Sequence, residues 1–162
     1  MPRYYGDRSI CGVEPRLIPI SHCMLRRTEA VTMMTDERLM TPDALPWHGL
    51  VDGIDFQLFY ASAETGRFTV MLRCAAGSFF ARHKHLGAGE YYVVKGRMEY
   101  RMGSAPAGTY GYEPLDAIHD HTAFPEYTEL LFTNYGPVVF LDAEDRVSMI
   151  LDHKLLTDIA AG

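Results

Sequence analysis

The chain has 162 residues, 48 % of them hydrophobic and 12 % aromatic, enough apolar material to fill the core of a single domain. A formal net charge of -6 leaves no electrostatic footprint for nucleic acid, whose phosphates demand clustered Lys and Arg, and Arg26-Arg27 is too short a run to supply one. Three cysteines (Cys11, Cys23 and Cys74) without CxxC spacing argue against a disulfide framework and for a reducing, cytoplasmic compartment, while charges from Arg3 to Arg16 interrupt any apolar run fit for a signal or membrane segment.

In chain order, residues 1–45 read as an irregular arm that packs on the following domain or on a second subunit. Leu17-Ile18-Pro19-Ile20 suits a short edge strand whose pairing Pro19 limits. Thr35 to Met40 has its acidic residues early and suits one helical turn, and Pro42 stands at a favourable first helical position. Trp47, the single tryptophan, is expected to anchor the start of the domain as a core aromatic.

From residue 51 the apolar residues alternate with polar ones and turn residues recur at short intervals, the pattern of an all-β sandwich or barrel. Strands are predicted near 54–60, 67–74, 79–84, 90–95, 97–102, 108–112, 117–121, 127–134, 137–142 and 147–151. Ala63 to Gly66 and Ala143 to Arg146 have the composition of hairpin turns. Leu155, Leu156 and Ile159 then follow at helical spacing, so a short helix ends a domain covering 46–162.

Within this pattern, His83-Lys84-His85 stands out. On a strand the two imidazoles project from one face, roughly 6 to 7 Å apart at Cα, with Lys84 turned away. His119 follows a second strand-like run, Gly108-Thr-Tyr-Gly-Tyr-Glu-Pro114, and can lie across the interior from the pair. Three neutral imidazoles with open positions suit Fe, Zn, Ni or Cu better than Mg or Ca. Gly77 and Gly96 bracket the first block where the chain must turn tightly. His121 shares the parity of His119 and is a substitute ligand, a proton carrier or a solvated rim residue. Arg82 and Lys84 have the opposite parity and are expected to point outward, and His22, His48 and His153 are assigned structural or surface roles.

The block from Gly77 through His83, His85 and Glu90 to Gly96 resembles the first cupin motif, and Gly108 to His119 resembles the second. Five residues rather than six separate Glu90 from Gly96, Asp116 stands at a usual Gly, and Ala123 replaces a usual Asn. Leu45-Pro46-Trp47, Thr69 to Arg73, Val94 to Arg97, Gly136 to Phe140 and Ile150-Leu151-Asp152 further resemble the cupins related to the ChrR C-terminal domain, a group that includes acetylacetone and 2,4'-dihydroxyacetophenone dioxygenases.

The resemblance implies an all-β, single-domain cupin (RmlC-like jelly-roll) barrel with an irregular N-terminal arm and a short C-terminal helix. It implies a metal held by His83, His85 and His119, with Glu90 as a fourth ligand or as a carboxylate that holds an imidazole tautomer. Catalytic roles are expected for Glu90, His121 and Tyr92; Tyr92 shares the parity of Glu90, and Tyr110 and Tyr112 that of Pro114, so these phenols are candidates to line the pocket. The implied activity is that of an Fe(II) dioxygenase, with Zn, Ni or Mn as possible occupants after purification. Such an enzyme would use O2 to split a carbon–carbon bond of a small β-diketone or hydroxyketone into carbonyl and carboxylic products. The alternative is a non-catalytic zinc-binding or ligand-sensing cupin of the ChrR type, and a homodimer or homotetramer is expected in either case.

Overall fold

The computed structural model describes residue 37 and residues 39–162. The strand expected at Leu17 to Ile20, most of the arm and of the turn expected at 35–40, and Cys11, Cys23 and His22 lie outside the described residues.

A 3-10 turn at Pro42–Ala44 begins on Pro42, whose fixed φ and missing N–H suit that position. Among the described residues fourteen strands follow: β1 (His48–Val51), β2 (Ile54–Ala61), β3 (Phe68–Cys74), β4 (Ser78–Phe80), β5 (His83–His85), β6 (Gly89–Lys95) and β7 (Arg97–Tyr100), then β8 (Gly103–Pro106), β9 (Tyr110–Glu113), β10 (Ile118–His119), β11 (Thr122–Phe124), β12 (Thr128–Asn134), β13 (Val138–Leu141) and β14 (Val147–Leu151). They build a six-stranded sheet in the order β1-β2-β3-β12-β6-β9 and two four-stranded sheets, β10-β5-β13-β14 and β4-β11-β7-β8. The architecture is the expected all-β, cupin-like one, but its strands divide into three sheets rather than one closed ladder.

Period-two alternation turns Phe68, Val70, Leu72 and Cys74 of β3 inward, and Tyr91 and Val93 of β6 with them. With Ile54, Phe56, Phe124 and Leu130 they form a continuous buried core. Each such large side chain contributes about 1.5 to 3 kcal/mol by leaving water. Desolvation pushes the Cys74 thiol well above its usual range, with the nearby Asp55 adding to the effect, so it is an inert packing group. Trp47 does not join this core; it is half-buried, with the Arg73 guanidinium over its ring at 4.4 Å.

The predicted strands differ from the observed ones where the chain bends. The run expected at 79–84 is broken at Ala81-Arg82 into β4 and β5, and that expected at 117–121 ends at His119 as the two-residue β10. Strands β1, β8 and β11 were not anticipated. Gly77 and Gly96 both have positive φ, 83° and 75°, and a Cβ on Gly96 would lie 2.2 Å from the Tyr127 carbonyl oxygen. Asp116 adopts the left-handed conformation itself, with φ 66°, which accounts for its standing where the second motif usually has Gly.

The C-terminal helix α1 (His153–Ala161) is capped by Asp152, whose carboxylate accepts a hydrogen bond from the Leu155 N–H at 2.8 Å. Leu156 is fully buried, and Leu155 and Ile159 pack beside it against the core. No helix among the described residues is long and apolar enough to cross a membrane.

Candidate metal centre

Short strand β5 is the backbone of the site. It presents His83 and His85 inward, with Lys84 between them turned out to pair with Asp116 at 2.7 Å. On one side β10 sets His119 directly opposite His83; on the other β13 sets Phe140 opposite His83 and Val138 opposite His85. The three imidazole centroids lie 5.0 to 5.4 Å apart. One ligand nitrogen from each ring lies within 4.8 Å of the other two.

These rings are 6 %, 1 % and 1 % exposed for His83, His85 and His119. Desolvation lowers the pKa of all three, to about 3 for His85 and about 4 for His119, and the neighbouring imidazoles reinforce the effect at those two. The rings are therefore neutral, the form that donates a lone pair to a metal. Nδ1 of His83 donates to the Ala81 carbonyl at 2.7 Å, which leaves Nε2 as its ligand atom. Both ring nitrogens of His85 and His119 are buried and make no well-aligned hydrogen bond among the described residues, the two Nε2 atoms having only the carboxylate of Glu113 at 3.2 and 3.4 Å. Buried polar atoms are normally satisfied. A divalent ion of intermediate softness at the shared centre would engage one nitrogen of each ring, so the donor set fits the metal that the spacing predicts.

A carboxylate joins the imidazoles, but it is not Glu90. Glu113, 5 % exposed at the end of β9, brings its Oε2 to 3.2 Å from His85 Nε2 and its Oε1 to 3.4 Å from His119 Nε2. Burial raises its pKa to about 7, against the opposing pull of Arg101. Gly89 makes room for it: β6 and β9 pair Gly89 with Glu113, and a Cβ on Gly89 would lie 3.3 Å from Glu113 Oε2 and 3.0 Å from Asn134 Oδ1.

Glu90 itself faces outward. The inward positions of β6 are Gly89, Tyr91 and Val93, so Glu90 and Tyr92 occupy the opposite face, Tyr92 being 46 % exposed. The Tyr135 phenol donates to Glu90 Oε2 at 3.3 Å. Parity counted from His85 fails because a bend at Leu86–Gly87 intervenes, where Gly87 packs against the backbone of Tyr135 and Gly136; a Cβ there would be 2.5 Å from the Gly136 nitrogen. His121 is likewise remote from the imidazoles. The chain bends at Asp120, and the exposed His121 ring stacks on Phe79 at 4.8 Å. Tyr110 and Tyr112 are 61 % and 57 % exposed and line no interior pocket. Arg82 points outward, as parity requires, into ion pairs with Asp120 and Asp145.

The sequence carried one signal for Glu113: it stands six residues before His119 and immediately before Pro114, where β9 ends. Two phenols also approach the centre unannounced. Tyr91 donates to the Tyr100 hydroxyl at 2.9 Å, and the Tyr100 ring lies 5.3 Å from that of His119.

Beside the imidazoles lies an interior cavity of about 40 Å³. Apart from His83, His85, Glu113 and Thr122, its walls are apolar, with Phe80, Phe132 and Phe140 among them. At 10–15 Å³ each it has room for roughly three water molecules.

Known proteins give this geometry a context. The chain is 41 % identical over 101 residues to the acetylacetone-cleaving enzyme of Acinetobacter johnsonii, a match covering 59 % of this chain and 66 % of that relative's length. The crystal structure of an acetylacetone dioxygenase from the same organism superposes with a TM-score of 0.72 at 30 % identity, covering 88 % of this chain and 98 % of the other. A candidate acetylacetone dioxygenase from Methylibium petroleiphilum PM1 superposes with a TM-score of 0.73 at 32 % identity, covering 78 % and 96 %. Residues 35–139, more than half of the chain, match the model of the ChrR cupin-like domain, and the chain belongs to that family.

Proposed function

We propose that this protein is a metal-dependent dioxygenase that cleaves a carbon–carbon bond of a small β-diketone or hydroxyketone. The observation that carries the proposal is the convergence of three neutral, buried imidazoles, two of which, His83 and His85, line a largely apolar cavity. The similarity to enzymes named for acetylacetone supports the same substrate class.

His83, His85 and His119 would hold the metal, Fe(II) by the analogy. When bound, the ion would supply the Lewis acidity and redox chemistry that bring a chelating ketone and dioxygen together. The chain's own contribution is separable. Ala81 fixes the tautomer of His83. The aromatic walls exclude bulk water and orient the substrate's apolar substituents. Glu113 sits within reach of two of the imidazoles, where its carboxylate can hold the orientation of their rings.

Glu113 also favours a second reading. Its carboxylate lies 3.2 and 3.4 Å from the Nε2 atoms of two of the three imidazoles, and a fourth donor beside them would give the coordination number that structural zinc adopts. Anaerobic reconstitution with Fe(II), followed by oxygen-uptake measurements over a panel of β-diketones and hydroxyketones, separates the two. Uptake coupled to loss of ketone is expected. Tight zinc binding with no uptake for any member of the panel would establish the second reading instead.

A further inference from the structure

On the surface beside the metal centre lies an open cleft of about 490 Å³. Its walls are the turn between β1 and β2, at Asp52 and Gly53, and the loop from β3 to β4, at Ala75 to Ser78; its floor is Phe79, Phe80, Ala81 and Phe140. Small residues line much of it, which is what keeps it open. Gly53 has φ 71°, and a Cβ there would come within 2.9 Å of the Ser78 Cβ, so the two walls approach closely at that point.

Two of the floor residues, Phe80 and Phe140, also line the interior cavity that contains His83 and His85. Their ring centroids are 5.8 Å apart, and that of Phe140 is 5.2 Å from His83. One layer of aromatic rings therefore separates the cleft from a proposed ligand. The floor is close to that ligand in the chain as well, because the carbonyl of Ala81 is the group that receives the His83 Nδ1–H.

The partition has to move for a ketone to enter. A cavity of about 40 Å³ accommodates roughly three waters, less than a five-carbon diketone with its two oxygens. The interior walls are poor candidates for movement: Phe68 and Phe124 are fully buried. Phe80 is only partly buried and sits on a three-residue strand at the edge of its sheet, paired on one side only and preceded by Gly77 at positive φ. Phe140 is 6 % exposed and its strand is paired on both sides.

From these positions we infer that substrate and dioxygen approach the imidazoles through this cleft, and that Phe80, swinging against a fixed Phe140, is the gate that sets the size of ketone admitted. The assignment rests on the function proposed above. The cleft's small apolar side chains suit a neutral ketone and O2, neither of which needs a charged guide. A competing approach exists on the other side of the centre, where the half-buried Tyr100 covers His119 and the exposed Arg101 exerts its charge on His119 and Glu113.

The test uses the full chain loaded anaerobically with Fe(II) and nitric oxide as a neutral probe the size of dioxygen, its binding followed by stopped-flow absorbance. Ala76→Trp, at an exposed cleft position, is expected to slow association about fivefold or more, and Phe80→Ala to raise it by a similar factor, as expected for a gated step. Metal content and melting temperature of each variant are measured in parallel, with Phe80→Leu as a milder substitution if Phe80→Ala folds poorly. In oxygen uptake, Phe80→Ala is expected to raise kcat/KM for a bulky aryl diketone relative to acetylacetone. Unchanged association rates in both cleft variants, or acceleration by Tyr100→Ala alone, would overturn the route. Failure of the unmodified protein to consume oxygen with any ketone would sink the proposed function, while the nitric oxide rates would still decide the route.

Discussion

Glu113→Gln should move two properties of the protein in opposite directions. In the metal-free protein, burial raises the Glu113 carboxyl from its usual 4.5 to about 7. The folded chain therefore holds a proton between those values that the unfolded chain gives up, so wild-type stability falls as pH rises through 4.5 to 7. At roughly 1.4 kcal/mol per pH unit, the accumulated loss by pH 8 is about 3 kcal/mol. Gln has nearly the same shape and never ionises, so it avoids this loss. Metal-free Glu113→Gln should match the wild type near pH 4.5 and exceed it in stability at pH 8. Metal affinity should change the other way. With a neutral amide in place of the carboxylate 3.2 and 3.4 Å from the two Nε2 atoms, affinity for Zn(II) or Fe(II) should fall about 10- to 100-fold. Urea unfolding of chelator-treated protein at several pH values, with competition titrations for the metal, reads both. A variant that binds metal as tightly as the wild type, or is the less stable at pH 8, would refute the placement of a buried, ionisable carboxylate at the imidazoles.

Three further outcomes are expected. His83→Ala should lose the metal on gel filtration, measured by elemental analysis, and full retention would show that His83 is no ligand. In metal-free Glu113→Gln, which removes the opposing carboxyl, stability should be greatest above pH 6.5 and decline on acidification. His85 and His119, held at about 3 and 4, then refuse protons that the unfolded chain accepts; a urea midpoint that does not change between pH 7.5 and 4.5 would contradict their burial as neutral rings. Gly111→Ala should destabilise the fold by about 1 to 3 kcal/mol or more in chemical denaturation, because the new Cβ would fall 2.1 Å from Tyr91 Cζ, and a neutral result would mean that Tyr91 is not packed on β9 as described.

The His83–His85 pair was legible in the sequence because its geometry is local: both sit within one strand, where period two holds without interruption, and Gly77 and Gly96 announce the turns on either side. The terminal helix was legible for the same reason, with Asp152 as its cap and Leu155, Leu156 and Ile159 on one face. His119, on β10, was placed by the strand-like run before it and by the resemblance to the second motif. Glu90 faces away from the histidines, and His121 takes the solvated position rather than that of a ligand or proton carrier, because parity does not survive the bends at Leu86–Gly87 and at Asp120. Glu113 depends on the pairing of β6 with β9, which sets it opposite Gly89 from a distant part of the chain, and on the space that Gly89 leaves, which no periodicity encodes. The division into three sheets was hidden too, since it rests on which strands pair rather than on how each alternates.

The imidazoles and the carboxylate belong to different layers. His83, His85 and His119 all ride on the sheet of β10, β5, β13 and β14, whereas Glu113 is carried by the six-stranded sheet. Hydrogen-bonded ladders fix the spacing among the three rings, but only side-chain packing between layers fixes the spacing from ring to carboxylate. Hydrostatic pressure or temperature, which act on packing more readily than on ladders, would thus tune the fourth group's distance while leaving the triad's internal geometry in place.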